Sequence, residues 1–93
     1  MSGVQVLHFW SETCNPCKVI KPALEDIKEE FADQVQWYSF NIHKDPKRTA
    51  AQLNPPVSVV PTIVVLKNGA EIGRHSGTQV GIYYALIRKA LAA

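Results

Sequence analysis

Two kinds of apolar run alternate along this chain. Val4 to Trp10 is mostly apolar, with β-branched and aromatic residues, which predicts a strand buried on both faces. Ser11-Glu12-Thr13 ends it. From about Cys14 the interval changes. Val19, Ile20, Ala23, Leu24, Ile27 and Phe31 recur at helical spacing, while Lys18, Lys21, Glu25, Lys28 and Glu29 fill the other face. That predicts an amphipathic helix with the six apolar residues inward. Pro22 lies within it and removes one backbone hydrogen bond, so a kink is expected rather than a break, because the periodicity runs on past it.

Val35 to Ile42 is again β-branched and aromatic and predicts a second strand. A short helix is expected from about Pro46 to Leu53, with proline in its first turn. Asn54-Pro55-Pro56 closes it, since residues before proline avoid the helical region, and a loop leads to Pro61. Thr62 to Lys67 and Ala70 to His75 flank Asn68-Gly69, the dipeptide that best fits a two-residue hairpin turn. After Gly77, the residues Val80, Tyr83, Leu86, Ile87, Ala90 and Leu91 line one face of a final helix, and Arg88 and Lys89 suit its C-terminal dipole. This order implies an α/β domain: a parallel strand pair joined by a crossover, extended by a hairpin, with helices over both faces of a four-stranded mixed sheet.

With 93 residues, 46% of them hydrophobic and 19% charged, one domain spanning residues 1–93 is expected. The formal charge is +2 and basic residues are interspersed with acids, so no stripe exists to displace counterions from nucleic acid. No run approaches the ~20 apolar residues needed to span a bilayer. The start lacks the basic and apolar regions of a secretory leader, which points to the cytoplasm.

The chain has two cysteines, both in Cys14-Asn15-Pro16-Cys17 at the junction of the first strand and helix. Unpaired N–H groups and the positive dipole end at a helix start favour an anion, so the thiolate of Cys14 is favoured as a nucleophile. Cys17 lies one helical turn on and can close a reversible disulfide with it. Cys14 then attacks a substrate disulfide and Cys17 resolves the mixed disulfide. Half of a zinc site is the rival reading, but a structural site needs four ligands and His8, His43 and His75 are isolated in sequence. An inert structural bridge is another, though so short a loop gains little chain entropy.

Over nearly its full length the chain resembles a thioredoxin. The matching residues are Phe9-Trp10, Cys14-x-Pro16-Cys17-Lys18, Pro22, Asn41-Ile42, Val60-Pro61-Thr62, Lys67-Asn68-Gly69 and Gly77. The resemblance implies a thioredoxin fold that enters at the strand carrying the site, without the family's usual N-terminal strand and helix, and with three helices around the sheet. It implies a cis Pro61 beside the sulfurs and a Val60 backbone offered to a substrate strand. It also implies an apolar contact surface from Trp10, Pro16, Val60, Pro61 and Gly77, with Asn15, Ser76 and Thr78 at its border. Trp37 is expected to be plain packing. The shortened sheet exposes an edge, which short strands and charges are expected to guard.

His8 stands where the family usually has a buried acid that manages the resolving cysteine's proton, and Ser39 replaces its lysine partner. A neutral imidazole can still accept the Cys17 proton, directly or through water; equally, His8 can be a satisfied buried residue. Asn15 and Thr13 replace the family's usual glycine and aromatic around Cys14. The resemblance implies a protein-disulfide reductase acting on disulfide-containing proteins. It needs no bound cofactor or metal, is recharged by a thioredoxin reductase or the glutathione system, and meets NADPH only through the reductase. A monomer that binds neither nucleic acid nor membrane is expected. A glutathione-coupled, glutaredoxin-like reductase and a non-catalytic binding module are the alternative functions.

Overall fold

A computed structural model describes residues 3–93. Met1 and Ser2, which begin both the expected 1–93 domain and the stretch read as leaderless, lie outside the described residues. The elements are β1 (Val4–Trp10), α1 (Asn15–Glu30), β2 (Val35–Asn41), α2 (Thr49–Gln52), β3 (Thr62–Lys67), β4 (Ala70–Ser76) and α3 (Val80–Ala92). The four strands form one sheet in the order β2-β1-β3-β4. β1 runs parallel to β2 and antiparallel to β3, and β3 antiparallel to β4. This is the mixed sheet with three helices that the hydrophobic pattern and the family resemblance predict.

Alternation along the strands divides the core. Val4 and Val6 of β1 and Ile63 and Val65 of β3 pack with Ile20, Leu24 and Ile27 of α1 and Tyr83, Ile87 and Ala90 of α3. Leu7, Phe9 and Val64 point to the opposite face, against Ala50 of α2 and Val57. β1 is thus sandwiched between the two layers, which is why its sequence reads as a nearly unbroken apolar run. Asn68 and Gly69 take φ of +52° and +86°, the left-handed pair that a tight hairpin turn requires.

Three expectations need correction. Val19, assigned to the buried face of α1, is 74% exposed; Ile20, Leu24 and Ile27 make the buried stripe, and Val19 lies to one side of it. The helix expected from Pro46 to Leu53 is one turn, Thr49–Gln52. Arg48 before it takes φ +53° and ψ +44°, which breaks helical continuity with Pro46. Asp45 accepts instead from the Ala50 N–H at 3.1 Å and the Thr49 hydroxyl at 3.3 Å, so it anchors the turn from outside. Finally, the strand at the open edge, β2, carries no charged residue. Pro22 is accommodated within α1, which runs through it to Glu30.

Candidate active site

Ser11 to Thr13 turns the chain from the end of β1 into α1, and the Cys14 N–H closes the turn on the Ser11 carbonyl at 3.3 Å. Cys14 is the N-cap of α1, extended at φ −88° and ψ 103°. Its Sγ accepts a hydrogen bond from the Cys17 N–H at 3.1 Å. A sulfur here takes the place that a serine or aspartate oxygen fills in other helices, and a negative charge on it is favoured by that N–H and by the dipole. No acidic residue occupies the first turn of α1. The nearest acid before the cap, Glu12, is held by Lys44 at 3.3 Å.

The sulfurs of Cys14 and Cys17 are joined, with Cα atoms 5.2 Å apart, inside the range a disulfide spans without backbone movement. Both cysteines are buried, Cys14 at 9% and Cys17 at 6% exposure, whereas Asn15 and Pro16 between them are exposed. The loop of the motif therefore faces outward and the sulfurs sit at its base.

The register of the sheet gathers the remaining residues. Phe9 pairs with Thr62 and Thr62 with Ser76, so Trp10, Pro61 and Gly77 extend from the same end of three adjacent strands. The Val60–Pro61 peptide is cis. Its segment is pinned from both sides: the Gly77 N–H donates to the Pro61 carbonyl at 3.0 Å, and the Thr62 hydroxyl donates to the Val59 carbonyl at 2.7 Å. Because that proton is committed, Thr62 Oγ1 accepts from the Ser76 hydroxyl, 2.6 Å away. Gly77 takes φ +126° and its carbonyl receives the Tyr83 hydroxyl. Ser76 and Thr78 are exposed, Trp10, Val60 and Gly77 half-buried, and Pro61 buried.

His8 lies on the α1 face of β1, opposite Ser39 of β2. A cavity of about 410 Å³ is lined by His8, Trp10, Cys17, Leu24, Trp37 and Ser39, which places the imidazole and the second cysteine on the wall of one space. His8 Nδ1 is 3.5 Å from Ser39 Oγ, and the same oxygen accepts the Trp37 indole N–H at 3.3 Å. His8 Nε2 is buried with no hydrogen-bond partner among the described residues. Burial lowers the His8 pKa to about 4, so the imidazole is neutral at physiological pH.

Two contributors escaped the sequence reading. Trp37, expected to be plain packing, supplies the hydrogen bond that fixes Ser39, and its ring centroid is 6.4 Å from that of His8. The signal was available: positions 37 and 39 share a strand face, and the parallel register puts that face beside His8. Val59, 55% exposed, adds an apolar side chain next to Val60. Of the two histidines outside this cavity lining, His75 bonds Gln79 at 2.8 Å and stacks edge-on with Tyr83 at 5.6 Å, a supporting role beneath Gly77.

Comparison with known proteins agrees with this geometry. A family model described as Thioredoxin matches residues 2–87. A thioredoxin of Staphylococcus aureus is 33% identical over 78 residues, which is 84% of this chain and 72% of that protein. Among solved structures, Fasciola hepatica thioredoxin superposes with a TM-score of 0.84 at 26% identity, covering 96% of this chain and 82% of that one. Chlamydomonas reinhardtii thioredoxin f2 does so at 0.80 and 28% identity, covering 96% and 80%.

Proposed function

The chain belongs to the thioredoxin family and is a thiol–disulfide oxidoreductase, and from that premise we propose that Cys14 attacks and Cys17 resolves. The observation that carries this order is the cap. Cys14 Sγ, not Cys17 Sγ, receives the helix N–H, so negative charge is stabilised on Cys14 both when it attacks and when it leaves.

In the reduced protein the Cys14 thiolate attacks one sulfur of a substrate disulfide. A Cys14–substrate disulfide forms and the first substrate thiolate departs. Cys17 then loses its proton and attacks the Cys14 sulfur, releasing the second substrate thiolate and closing the Cys14–Cys17 disulfide. Two electrons pass to the substrate. His8 takes the Cys17 proton on Nε2, directly or through a water in the shared cavity, in the tautomer whose Nδ1–H faces Ser39. Burial keeps this imidazole neutral, and a neutral imidazole is the form able to accept.

Trp10, Asn15, Pro16, Val60, Pro61, Ser76, Gly77 and Thr78 form the surface on which an extended substrate segment lies, with the Val60 backbone pairing to it as a strand. Its substrates are disulfide-containing proteins, and it works with a reductase partner, as its family does. Recharging runs through a thioredoxin reductase, and turnover supported by glutathione alone marks the other route. The sulfurs carry the electrons, so no bound cofactor is required and NADPH acts only on the reductase. Among the described residues no helix is long and apolar enough to cross a membrane. With its cysteines confined to the redox pair, the chain suits a reducing compartment such as the cytoplasm, working as one domain over residues 1–93.

The test is to trap the intermediate. Cys17→Ser should accumulate a mixed disulfide between Cys14 and an oxidised protein substrate, and Cys14→Ser should accumulate none. Trapping through Cys17 instead would reverse the assigned roles.

A further inference from the structure

Tyr83 puts a hydroxyl where the core has no use for one. The residue is 1% exposed on α3, in the cluster of Ile63, Val65 and Ile87, where phenylalanine would avoid the cost of burying an oxygen. Among the described residues that oxygen makes one hydrogen bond, to the Gly77 carbonyl. Burial holds its pKa above the usual tyrosine range, so it stays a donor. Gly77 is held at three points. Its N–H donates to the Pro61 carbonyl at 3.0 Å, its carbonyl accepts from Tyr83, and the His75–Gln79 bridge lies against its Cα, where a Cβ would stand 2.7 Å from Gln79 Oε1 and 3.7 Å from His75 Nε2. His75 also packs edge-on against the Tyr83 ring. A glycine has no side chain to fix its own backbone, so these contacts set the direction of the Gly77 peptide. They run from the core of α3, through one exposed turn, to the loop that carries Val60 and Pro61.

We propose that Tyr83 is a positioning residue for substrate binding: its hydroxyl sets the Gly77 peptide, and through it Pro61, in the place against which an extended segment of a protein disulfide lies. This rests on the reading that such a segment binds along Val60 and Gly77. Tyr83 is buried, so a substrate meets the peptide that it holds and not the ring. Its effect therefore falls on the binding of protein substrates, which span the surface, and not on sulfur exchange at Cys14. A small disulfide needs only the sulfur and is indifferent to it.

Rapid mixing separates the two effects. The pre-reduced chain is mixed with increasing insulin as the protein disulfide and, separately, with a small aromatic disulfide, and its oxidation is followed by tryptophan fluorescence. Tyr83→Phe keeps the ring and removes only the hydroxyl. It should raise the half-saturating insulin concentration about 3- to 10-fold, the worth of one hydrogen bond, with the maximal rate and the small-disulfide rate unchanged. Val60→Asp places a charge on the surface itself and should raise the same concentration whatever Tyr83 does. If Val60→Asp leaves it unmoved, the substrate lies elsewhere and the proposal falls together with the reading it rests on. If Val60→Asp raises it and Tyr83→Phe does not, the proposal alone is overturned. A Tyr83→Phe chain that slows equally with both disulfides, or whose circular dichroism shows a lost fold, makes the hydroxyl a general structural bond and overturns the proposal as well.

Discussion

His8 and Ser39 face one another across the β1–β2 ladder, with Nδ1 3.5 Å from Oγ. Trp37 holds the serine from the other side. A neutral ring and a hydroxyl thus occupy a position beneath the second cysteine where an ion pair would carry a much larger desolvation cost.

Stability should depend on His8 protonation. The folded pKa is about 4 against 6.5 for the free side chain, so the unfolded chain binds the extra proton first. The contribution of neutral His8 is complete above about pH 6.5 and is lost as pH falls towards 4, by about 2 to 3 kcal/mol. Urea midpoints measured from pH 7.5 to 4 should show this decline, and it should shrink in His8→Asn. An identical decline in the variant would assign the effect to other groups.

The proton relay makes a separate prediction about rates. In His8→Ala the attack of Cys14 on a substrate disulfide should be preserved, while release of the mixed disulfide by Cys17 slows about 10- to 100-fold and shifts its pH dependence towards that of an unassisted thiol. Rapid mixing with a fluorescent disulfide separates the two steps. An unchanged pH profile of release would mean that His8 only fills space.

Neighbouring positions on α1 should respond in opposite ways. Ile20 is 4% exposed in the core between α1 and the sheet, and Val19 is 74% exposed. Ile20→Ala should cost about 2 to 4 kcal/mol, and Val19→Ala less than about 0.5 kcal/mol, in parallel denaturant titrations. Similar losses at both sites would contradict the helix orientation that places Cys17 over the cavity.

Gly77 holds the segment opposite Pro61 at a φ of +126°, and a Cβ there would lie 2.7 Å from Gln79 Oε1. Gly77→Ala should destabilise the fold by about 1 to 3 kcal/mol through backbone strain and break the His75–Gln79 hydrogen bond. It should also raise the KM for protein substrates while leaving reaction with a small disulfide nearly unchanged. Equal loss on both substrate types would place Gly77 outside the substrate surface.

Much of this architecture is legible in the sequence where local chemistry and tertiary demand agree. β1 could be read because both faces are covered, and the β3–β4 hairpin because Asn68 and Gly69 can adopt the backbone its turn requires. The start of α1 was marked by the cysteine at its cap. Val19 misled because a valine at helical spacing says nothing about which side of the stripe it falls on until the helix is docked. The Pro46–Leu53 helix is shorter than its pattern suggests because Arg48 adopts a left-handed conformation and the Asp45 carboxylate holds only the single turn beyond it, through Thr49 and Ala50; neither feature is written in helix propensity. The His8–Ser39–Trp37 chain depends on a parallel register 31 residues apart, which periodicity within either strand does not reveal.

The central claim is that Cys14 and Cys17 form a reversible couple that donates electrons to protein disulfides. Its most direct test is the equilibrium potential of that couple, read by thiol alkylation and mass analysis across a graded dithiol buffer series. A value near the reducing end, about −270 mV, is the expected result. A value at or above about −180 mV, or a pair that never closes, would contradict the reductase assignment.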